Sequence, residues 1–348
     1  MTTDRIAEAR QIVGKNEEKD YLLRPKMYAE LFSEKAPALS DLLRSSELEG
    51  IAEKYSLNDA QAVAAQSKYK AWMKKARLWV LLTACCSAAL LAVATWLVQP
   101  DEAEVAKTLF IAISIAAFIA SFIATTYIKL VESLSLLKKW MGSRANAEMQ
   151  RLRYFEGFVK RGFQADAGLD PIALRLLQLE FFRRFQLDMQ LNFYTQRSGQ
   201  HAAAAEKSAA IGTWAMGIAG LAAAIAGFLG ASIDPRWAAV AAVGFVFQAY
   251  ASNALSAEAV NQDRRNEERY GRTMKSLQDL KAELDRVRQQ VDGGNTEILA
   301  AYVDAVHEHL SLEHRQWIDD IEMASKAMGE LKAQLKKVQP ESSVRKDK

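Results

Sequence analysis

Residues 208–256 read SAAIGTWAMGIAGLAAAIAGFLGASIDPRWAAVAAVGFVFQAYASNALS, which is two apolar runs joined by a short turn. Neither run contains Lys, Arg, Asp or Glu. A helix rises about 1.5 Å per residue, so about 20 apolar residues cross a hydrocarbon layer of about 30 Å. The stretch therefore predicts a transmembrane hairpin, with crossings at about residues 209–231 and 237–255.

A second hairpin of the same kind is predicted earlier in the chain, with crossings at about residues 78–98 and 108–128. The two cysteines, Cys85 and Cys86, lie inside the first crossing, where packing residues are expected rather than a disulfide or a metal site. The remaining sequence is charged and patterned for helices. The sequence predicts an all-α integral membrane protein: four transmembrane helices as two hairpins, with long cytoplasmic helices and coiled-coil-like arms.

The basic residues around the first hairpin predict its orientation. Cytoplasmic segments carry the excess of Lys and Arg, whereas the connection between crossings one and two is mainly acidic. Both termini and the central segment are therefore expected in the cytoplasm. The first 25 residues lack an apolar core, so no cleaved signal peptide is expected. The flanking basic residues are Lys68, Lys70, Lys74, Lys75, Arg77, Lys129, Lys138, Lys139 and Arg144.

The polar segments divide the chain into five predicted regions. Helices at the N-terminus are expected to be interrupted at Pro25 and Pro37, with start signals at Ser40-Asp41 and Asn58-Asp59. The regions are 1–66, N-terminal cytoplasmic helices; 67–165, the first hairpin and its flanking helices; 166–200, an amphipathic cytoplasmic helix; 201–338, the second hairpin and a C-terminal helical hairpin; and 339–348, a disordered tail.

Two cytoplasmic helices carry apolar faces that need a partner. Asp170-Pro171 predicts the start of a helix that ends at about Tyr194. Its apolar side is expected to lie on the membrane surface or on another subunit, with ligand binding as a third alternative. After crossing four, apolar residues recur every seven positions, which predicts a coiled-coil-like helix that stops at residues 292–294. Its seam is Tyr270, Leu277, Leu284 and Val291.

Polar side chains within the crossings are candidates for lining a water-filled path. Ser114, Ser121 and Thr125 lie on one face of crossing two, and crossing four contains Gln248 and Ser252. The alternative is that the hydroxyls bond to the carbonyl one turn earlier or join helices. No crossing contains a charged residue, which argues against an ion-coupled transporter and favours a passive pore or a scaffold.

Crossing three is rich in small residues. Their spacing is typical of helices that pack closely against another helix in a membrane. The predicted packing residues are Gly217, Gly220, Ala223, Ala224 and Gly227.

Arginine clusters outside the crossings are candidate contacts for a nucleotide, because a guanidinium matches the geometry of a phosphate. The alternative is salt-bridged helix faces and attraction to anionic lipid headgroups. A net charge of +3 gives no bulk affinity for nucleic acid. The candidate ligand-binding residues are Arg175, Arg183, Arg184, Arg264, Arg265 and Arg269.

The sequence gives no strong signal for metal or catalytic chemistry. His307, His309 and His314 lie close together in the chain, but their spacing is not that of a metalloprotease site. Glycine-rich phosphate loops, nucleophile elbows and paired carboxylates do not stand out. A non-enzyme without a cofactor or metal is predicted.

The last part of the chain resembles the SLATT domain, the SMODS- and SLOG-associating two-transmembrane effector. A basic and aromatic helix leads into a two-crossing hairpin, and a long helix and then Glu313-His314-Arg315-Gln316-Trp317 follow. Glu313 and Trp317 carry the motif. The likeness is best over about residues 188–338, and residues 66–160 resemble a second copy that lacks this ending.

The resemblance implies a homo-oligomeric pore in the bacterial inner membrane that acts in anti-phage defence by membrane depolarisation and growth arrest. It also implies gating from the cytoplasm by a nucleotide or short oligonucleotide, and a partner nucleotidyltransferase that makes this ligand. The alternative function is a non-conducting membrane scaffold that recruits partners through its cytoplasmic helices.

Overall fold

The structure is a computed structural model that describes residues 4–17, 23–94, 103–160 and 170–312. Within these ranges every regular element is helical and no strand occurs, which confirms the predicted all-α class. The helices are α1 (Arg5–Val13), α2 (Pro25–Phe32), α3 (Pro37–Leu43), α4 (Ser46–Ala94), α5 (Ala103–Ser133), α6 (Leu136–Lys160), α7 (Pro171–Phe182), a π turn (Arg183–Asp188), α8 (Met189–Ser232), a 3₁₀ turn (Pro235–Val240), α9 (Ala241–Asn261), α10 (Asp263–Ala282), α11 (Leu284–Asp292) and α12 (297–312).

Prolines begin three of the helices, as their positions in the sequence predict. Pro25, Pro37 and Pro171 each stand in the first turn of a helix, where the missing N–H of proline has no partner to lose. Asp170 caps α7, because its carboxylate accepts a hydrogen bond from the backbone N–H of Ile172 at 2.9 Å.

Two predicted helix starts were wrong. Ser40 lies inside α3, where its hydroxyl donates to the carbonyl of Ala29 at 2.7 Å. Asn58 and Asp59 lie in the middle of α4, and Asp59 forms an ion pair with Arg144 at 2.8 Å. These polar side chains find partners within the fold, so they do not serve as helix caps.

The chain folds into two compact units, each built from segments that are distant in sequence. The polar unit comprises the described parts of residues 1–65, 138–200 and 265–320. The span unit comprises the described parts of residues 66–137 and 201–264.

The core of the polar unit is an aromatic cluster around α7 and the π turn. Phe181 and Phe185 are fully buried. The ring centroids of Phe185 and Tyr28 are 4.3 Å apart, and those of Phe181 and Phe158 are 4.7 Å apart. Each buried aromatic side chain stabilises the fold by about 1.5–3 kcal/mol, so these rings fix α2 and α6 against α7.

The environment predicted for the helix that starts at Asp170 was wrong. Its apolar side lies neither on a membrane surface nor on another subunit, because helices of the same chain cover it in the polar unit. Its predicted end near Tyr194 was also wrong, since the π turn leads into α8, which continues to Ser232. Residues 195–207 are polar, but their alanines are strong helix formers and sustain the helix.

The coiled-coil-like segment that follows the fourth crossing ends where the sequence predicts. Helix α11 stops at Asp292, and Gly294 follows with φ of 95°, a backbone conformation that glycine adopts without strain. The predicted seam packs into the core of the polar unit, where Leu277 and Val291 are fully buried. The hydroxyl of Tyr302 in α12 donates to the carbonyl of Leu280 at 2.8 Å, so α12 folds back onto α10.

Four helices in the described residues are long and apolar enough to span a membrane, which confirms the four predicted crossings. Most of each apolar segment is exposed on the surface of the single chain. Residues 95–102, which include the end of the first predicted crossing and part of its acidic connection, lie outside the described residues.

The second hairpin is held together by a close approach of α8 and α9. A Cβ atom at Gly244 would lie 3.0 Å from the carbonyl oxygen of Ala219 and 3.6 Å from the Cβ of Ala222. Only a glycine lets the two backbones come this near without a shift, and small residues at such contacts are typical of membrane helices.

We expect Gly244→Leu to destabilise the span unit by about 1–3 kcal/mol, because the added side chain must push α8 and α9 apart. Thermal unfolding of the purified protein in detergent measures this loss. Gly199→Leu is the matched control, since a Cβ at Gly199 meets nothing within 4 Å. Equal midpoints for the two variants would contradict the close contact.

Candidate functional site

The predicted hydroxyls of crossing two belong to α5 in the span unit. Ser114 donates to the carbonyl of Phe110 at 2.8 Å, and Thr125 donates to the carbonyl of Ser121 at 2.9 Å. Both hydroxyls therefore bond one turn back along their own helix, as the alternative interpretation predicts. Ser121 is buried within the chain, with 3% of its surface exposed. A role for these three residues in lining a pore stays a prediction.

Gln248 lies on the exposed surface of α9, in the middle of the predicted fourth crossing. Ser252, one turn further on, is half-buried. Placing an amide in hydrocarbon without a hydrogen-bond partner costs about 2–7 kcal/mol. The amide of Gln248 therefore needs a hydrogen-bond partner, either water or a polar group from outside the single chain.

Helix α8 presents three different faces within the span unit. The inward face is made of alanines, among them Ala215, Ala222 and Ala226, which are buried. One outward face is bulky and apolar, as expected for contact with lipid tails. The bulky residues are Trp214, Ile218, Leu221, Ile225 and Phe228, all of them exposed.

The second outward face of α8 is the predicted packing stripe. All five of its residues are exposed, and a Cβ added at any of its three glycines would meet nothing within 4 Å. The stripe therefore packs against no other helix in the described part of this chain. The inward alanines recur every three or four residues, a signal in the sequence that was not used to predict this face. The stripe consists of Gly217, Gly220, Ala223, Ala224 and Gly227.

The predicted ligand arginine Arg183 belongs to a buried network of charges in the polar unit. Its guanidinium pairs with Glu180 at 2.5 Å and with Asp188 at 2.7 Å. Glu180, which is 1% exposed, also accepts from Arg288 at 2.5 Å, and Asp188 pairs with Lys281 at 2.7 Å. The network joins α7, the π turn, α10 and α11. Breaking such a buried pair costs about 3–5 kcal/mol, so these charges hold the unit together.

Arg184, the next residue of the π turn, contacts the N-terminal segment. Its Nη1 donates to the carbonyl of Val13 at 2.5 Å, and its Nη2 lies 3.4 Å from a carboxylate oxygen of Glu17. The guanidinium also lies 4.7 Å over the ring of Phe185. Only 5% of Arg184 is exposed.

The other four predicted ligand arginines are spread over the molecule. Arg175 donates to the carbonyl of Val159 at 2.7 Å and to the side chain of Gln178 at 2.9 Å, and its burial lowers its pKa. Arg269 is buried beside Asn266 and Tyr270. The structure does not bring the six arginines into one cluster, and their role in ligand binding stays a prediction. Arg264 and Arg265 are both exposed on α10.

Arg151, in one of the arginine-dense stretches of the sequence, is a further buried cation of the polar unit. Arg151 is fully buried, donates to the hydroxyl of Tyr55 at 2.5 Å and lies 4.8 Å over that ring. Glu148, one turn earlier, pairs with Arg151 and with Arg144. Glu148 and Arg144 stand one helical turn apart, a spacing that indicates an ion pair on α6.

Neither His307 nor His309 belongs to a metal site among the described residues, and His314 lies outside them. His307 is buried against the ring of Phe182, with centroids 5.9 Å apart, whereas His309 is exposed. Among the described residues, no group of three or more His, Cys, Asp or Glu side chains is placed to hold a metal ion. The motif residues Glu313 and Trp317 lie outside the described residues.

Burial of His307 predicts a pH dependence of stability. Burial lowers the pKa of His307 to about 4, whereas an unfolded histidine has a pKa of about 6.5. Between these values the unfolded chain binds more protons, so stability falls as the pH decreases from about 6.5 to about 4, by about 3 kcal/mol in total. We expect His307→Leu to remove this part of the loss, measured by denaturant unfolding across that pH range.

The control is His309→Leu, which changes an exposed histidine two residues away on the same helix. It should lose stability with decreasing pH as the parent does. A parent and a His307→Leu variant with parallel pH profiles would contradict the assignment.

Part of the chain matches a known protein family. Residues 182–317 match the family model described as SMODS and SLOG-associating 2TM effector domain 1, which confirms the resemblance for this part of the chain. The match begins at the last residue of α7 and includes the second hairpin. Comparisons with curated proteins and with solved structures found no match. The first hairpin as a second copy of this domain stays a prediction.

Proposed function

We propose that this chain, which carries a SLATT-type effector domain over residues 182–317, assembles into an oligomeric pore that depolarises the bacterial inner membrane during phage infection. The exposed Gln248 in the middle of a crossing supports this proposal most directly. A polar amide on the outer surface of a span is stable beside water or beside another polar group, and a pore made of several copies supplies both.

Self-association is the second part of the proposal. The small-residue stripe of α8 is exposed, although small residues in membrane helices normally let two backbones approach. The adjacent face of the same helix carries large apolar side chains suited to lipid. A second copy of the chain is the partner that the stripe fits, and the resulting assembly has enough helices to surround a path that one four-helix unit lacks.

Ligand gating is the third part. The polar unit carries many buried arginines, and a nucleotide or short oligonucleotide made by a partner nucleotidyltransferase is the proposed gating ligand. The name of the matched family associates the domain with SMODS proteins, which supports a partner of this class. Basic residues flank the crossings on the side assigned to the cytoplasm, and we place both termini there.

We expect bacterial cells that express the parent chain to depolarise during phage infection, and cells that express Gln248→Leu to keep their membrane potential. Leucine removes the polar group that keeps water in the path, while it is well tolerated in a membrane helix. A potential-sensitive dye measures the result. Gln248→Asn is the matched control, because it keeps the amide and should depolarise.

A parent that leaves the potential intact, both in growing cells and during phage infection, would contradict the pore and favour the scaffold. Depolarisation by Gln248→Leu equal to that by the parent would show that this residue does not line the path.

We expect Gly220→Leu to prevent self-association without unfolding the chain, because its side chain would enter the proposed interface and a Cβ at this position meets nothing within 4 Å in the described part of the chain. The mass of the purified protein in detergent, measured by light scattering, reports the oligomer. Leu221→Phe adds bulk to the neighbouring lipid-facing side and should keep the parent mass. The same oligomer for parent and Gly220→Leu would place the interface elsewhere.

A further inference from the structure

Arg77 is a cation at the start of the first crossing, in the span unit. It belongs to α4, and the crossing is predicted to begin at about the next residue, Leu78. Its neighbours one turn away, Met73 and Val80, are buried, whereas Leu78 is 61% exposed. A helix places residues three and four apart on one face. Arg77 therefore lies at the edge of the inward face of α4, beside a surface suited to lipid tails.

The guanidinium of Arg77 lacks the partners that a shielded charge needs. Its Nε and Nη1 atoms are shielded from solvent, and neither has a hydrogen-bond partner among the described residues. The sequence from residue 60 to residue 100 contains no Asp or Glu, so this part of α4 offers no carboxylate. A shielded polar group without a hydrogen bond destabilises a protein, and a charged group does so most strongly. An acceptor from outside the chain would remove this cost.

The surroundings of Arg77 are basic and aromatic. The Nζ atom of Lys75 lies 5.6 Å from the centroid of the Tyr127 ring, so the start of crossing one lies beside the end of crossing two. Lys74 and Lys129, which are close to these two residues in the chain, are exposed. Basic and aromatic side chains are typical of the layer where a protein meets lipid headgroups. The acceptor expected at this position is therefore an anion of the membrane surface.

We propose that Arg77 binds the phosphate of an anionic phospholipid, whose acyl chains lie along Leu78 and Leu82. Leu82 follows Leu78 by one turn and is 43% exposed, so the two side chains form one apolar strip that leads from Arg77 into the crossing. A guanidinium matches the geometry of a phosphate and forms charge-assisted hydrogen bonds with it. One lipid therefore pairs with the charge through its headgroup and covers the exposed leucines with its tails.

The test is the thermal unfolding midpoint of the full-length protein in a maltoside detergent, which carries no phosphate, with phosphatidylglycerol or phosphatidylcholine added. We expect phosphatidylglycerol to raise the midpoint of the parent more than phosphatidylcholine does, because a ligand that binds the folded state stabilises it. Arg77→Gln should lower the apparent affinity for phosphatidylglycerol about tenfold, since it removes the charge-assisted bonds. In maltoside alone, Arg77→Gln should unfold at or above the midpoint of the parent.

Two controls identify what Arg77 binds. Lys74→Gln removes the same charge from an exposed position three residues away, so it should lose less affinity than Arg77→Gln does. Tripolyphosphate supplies soluble phosphate groups without tails, like those of the proposed gating ligand. Its effect on the midpoint should be the same in the parent and in Arg77→Gln, because the acyl chains hold the lipid at this position. A tripolyphosphate effect that Arg77→Gln lacks would assign Arg77 to a soluble anion and overturn the lipid.

A lower midpoint of Arg77→Gln in maltoside alone would show that Arg77 is held within the chain, and it would overturn the proposal. Equal responses of the parent to the two lipids would do the same. Equal losses of affinity in Arg77→Gln and Lys74→Gln would reduce the effect to net charge and also overturn it. The measurement requires no conduction, so the lipid site and the proposed pore can fail independently.

Discussion

A backbone in hydrocarbon has no water with which to form hydrogen bonds. Each crossing must therefore pair its own N–H and C=O groups, and a single run of about 20 residues does so as a helix. The rest of the structure depends on this constraint. The absence of charged side chains in the four crossings removes any competing demand within the membrane. Gln248 is an amide within the fourth crossing, and its exposed position leaves it to hydrogen-bond with water or with a polar group outside one chain.

The polar unit differs from the crossings because it buries charged side chains as well as aromatic rings. Glu180 lies between Arg183 and Arg288, and all three connect helices that are far apart in sequence. Such a pair is costly to desolvate and still more costly to break, which gives the unit a defined arrangement. The π turn lies at the centre of this network, and π turns inside helices often mark functional sites.

Local features were predictable from the sequence because their causes are local. The cap at Asp170, the stop at Gly294 and the four apolar runs depend on a few neighbouring residues, and the structure agrees with each. The partners of Arg184 were not predictable, since Val13 lies 171 positions away in the chain. A pattern of charges on α7 and the π turn is compatible with a ligand, a lipid surface or an internal ion pair, and only the tertiary packing distinguishes these.

The sequence alone also does not show which small-residue face of α8 packs against α9. The sequence identifies small residues in crossing three, but the helix contains two small faces, and both satisfy the spacing rule. Packing against α9 uses the alanine face that contacts Gly244, and the predicted glycine stripe is left outward. We propose that the stripe is left for a second copy of the chain, and its role in helix packing stays a prediction.

The most direct measurement is the current through a planar bilayer that contains the purified protein, recorded with and without tripolyphosphate on both sides of the bilayer. We expect discrete conductance steps that Gln248→Leu lacks and Gln248→Asn retains. A bilayer in which the inserted oligomer carries no current under either condition would contradict the pore and leave the chain as a membrane scaffold.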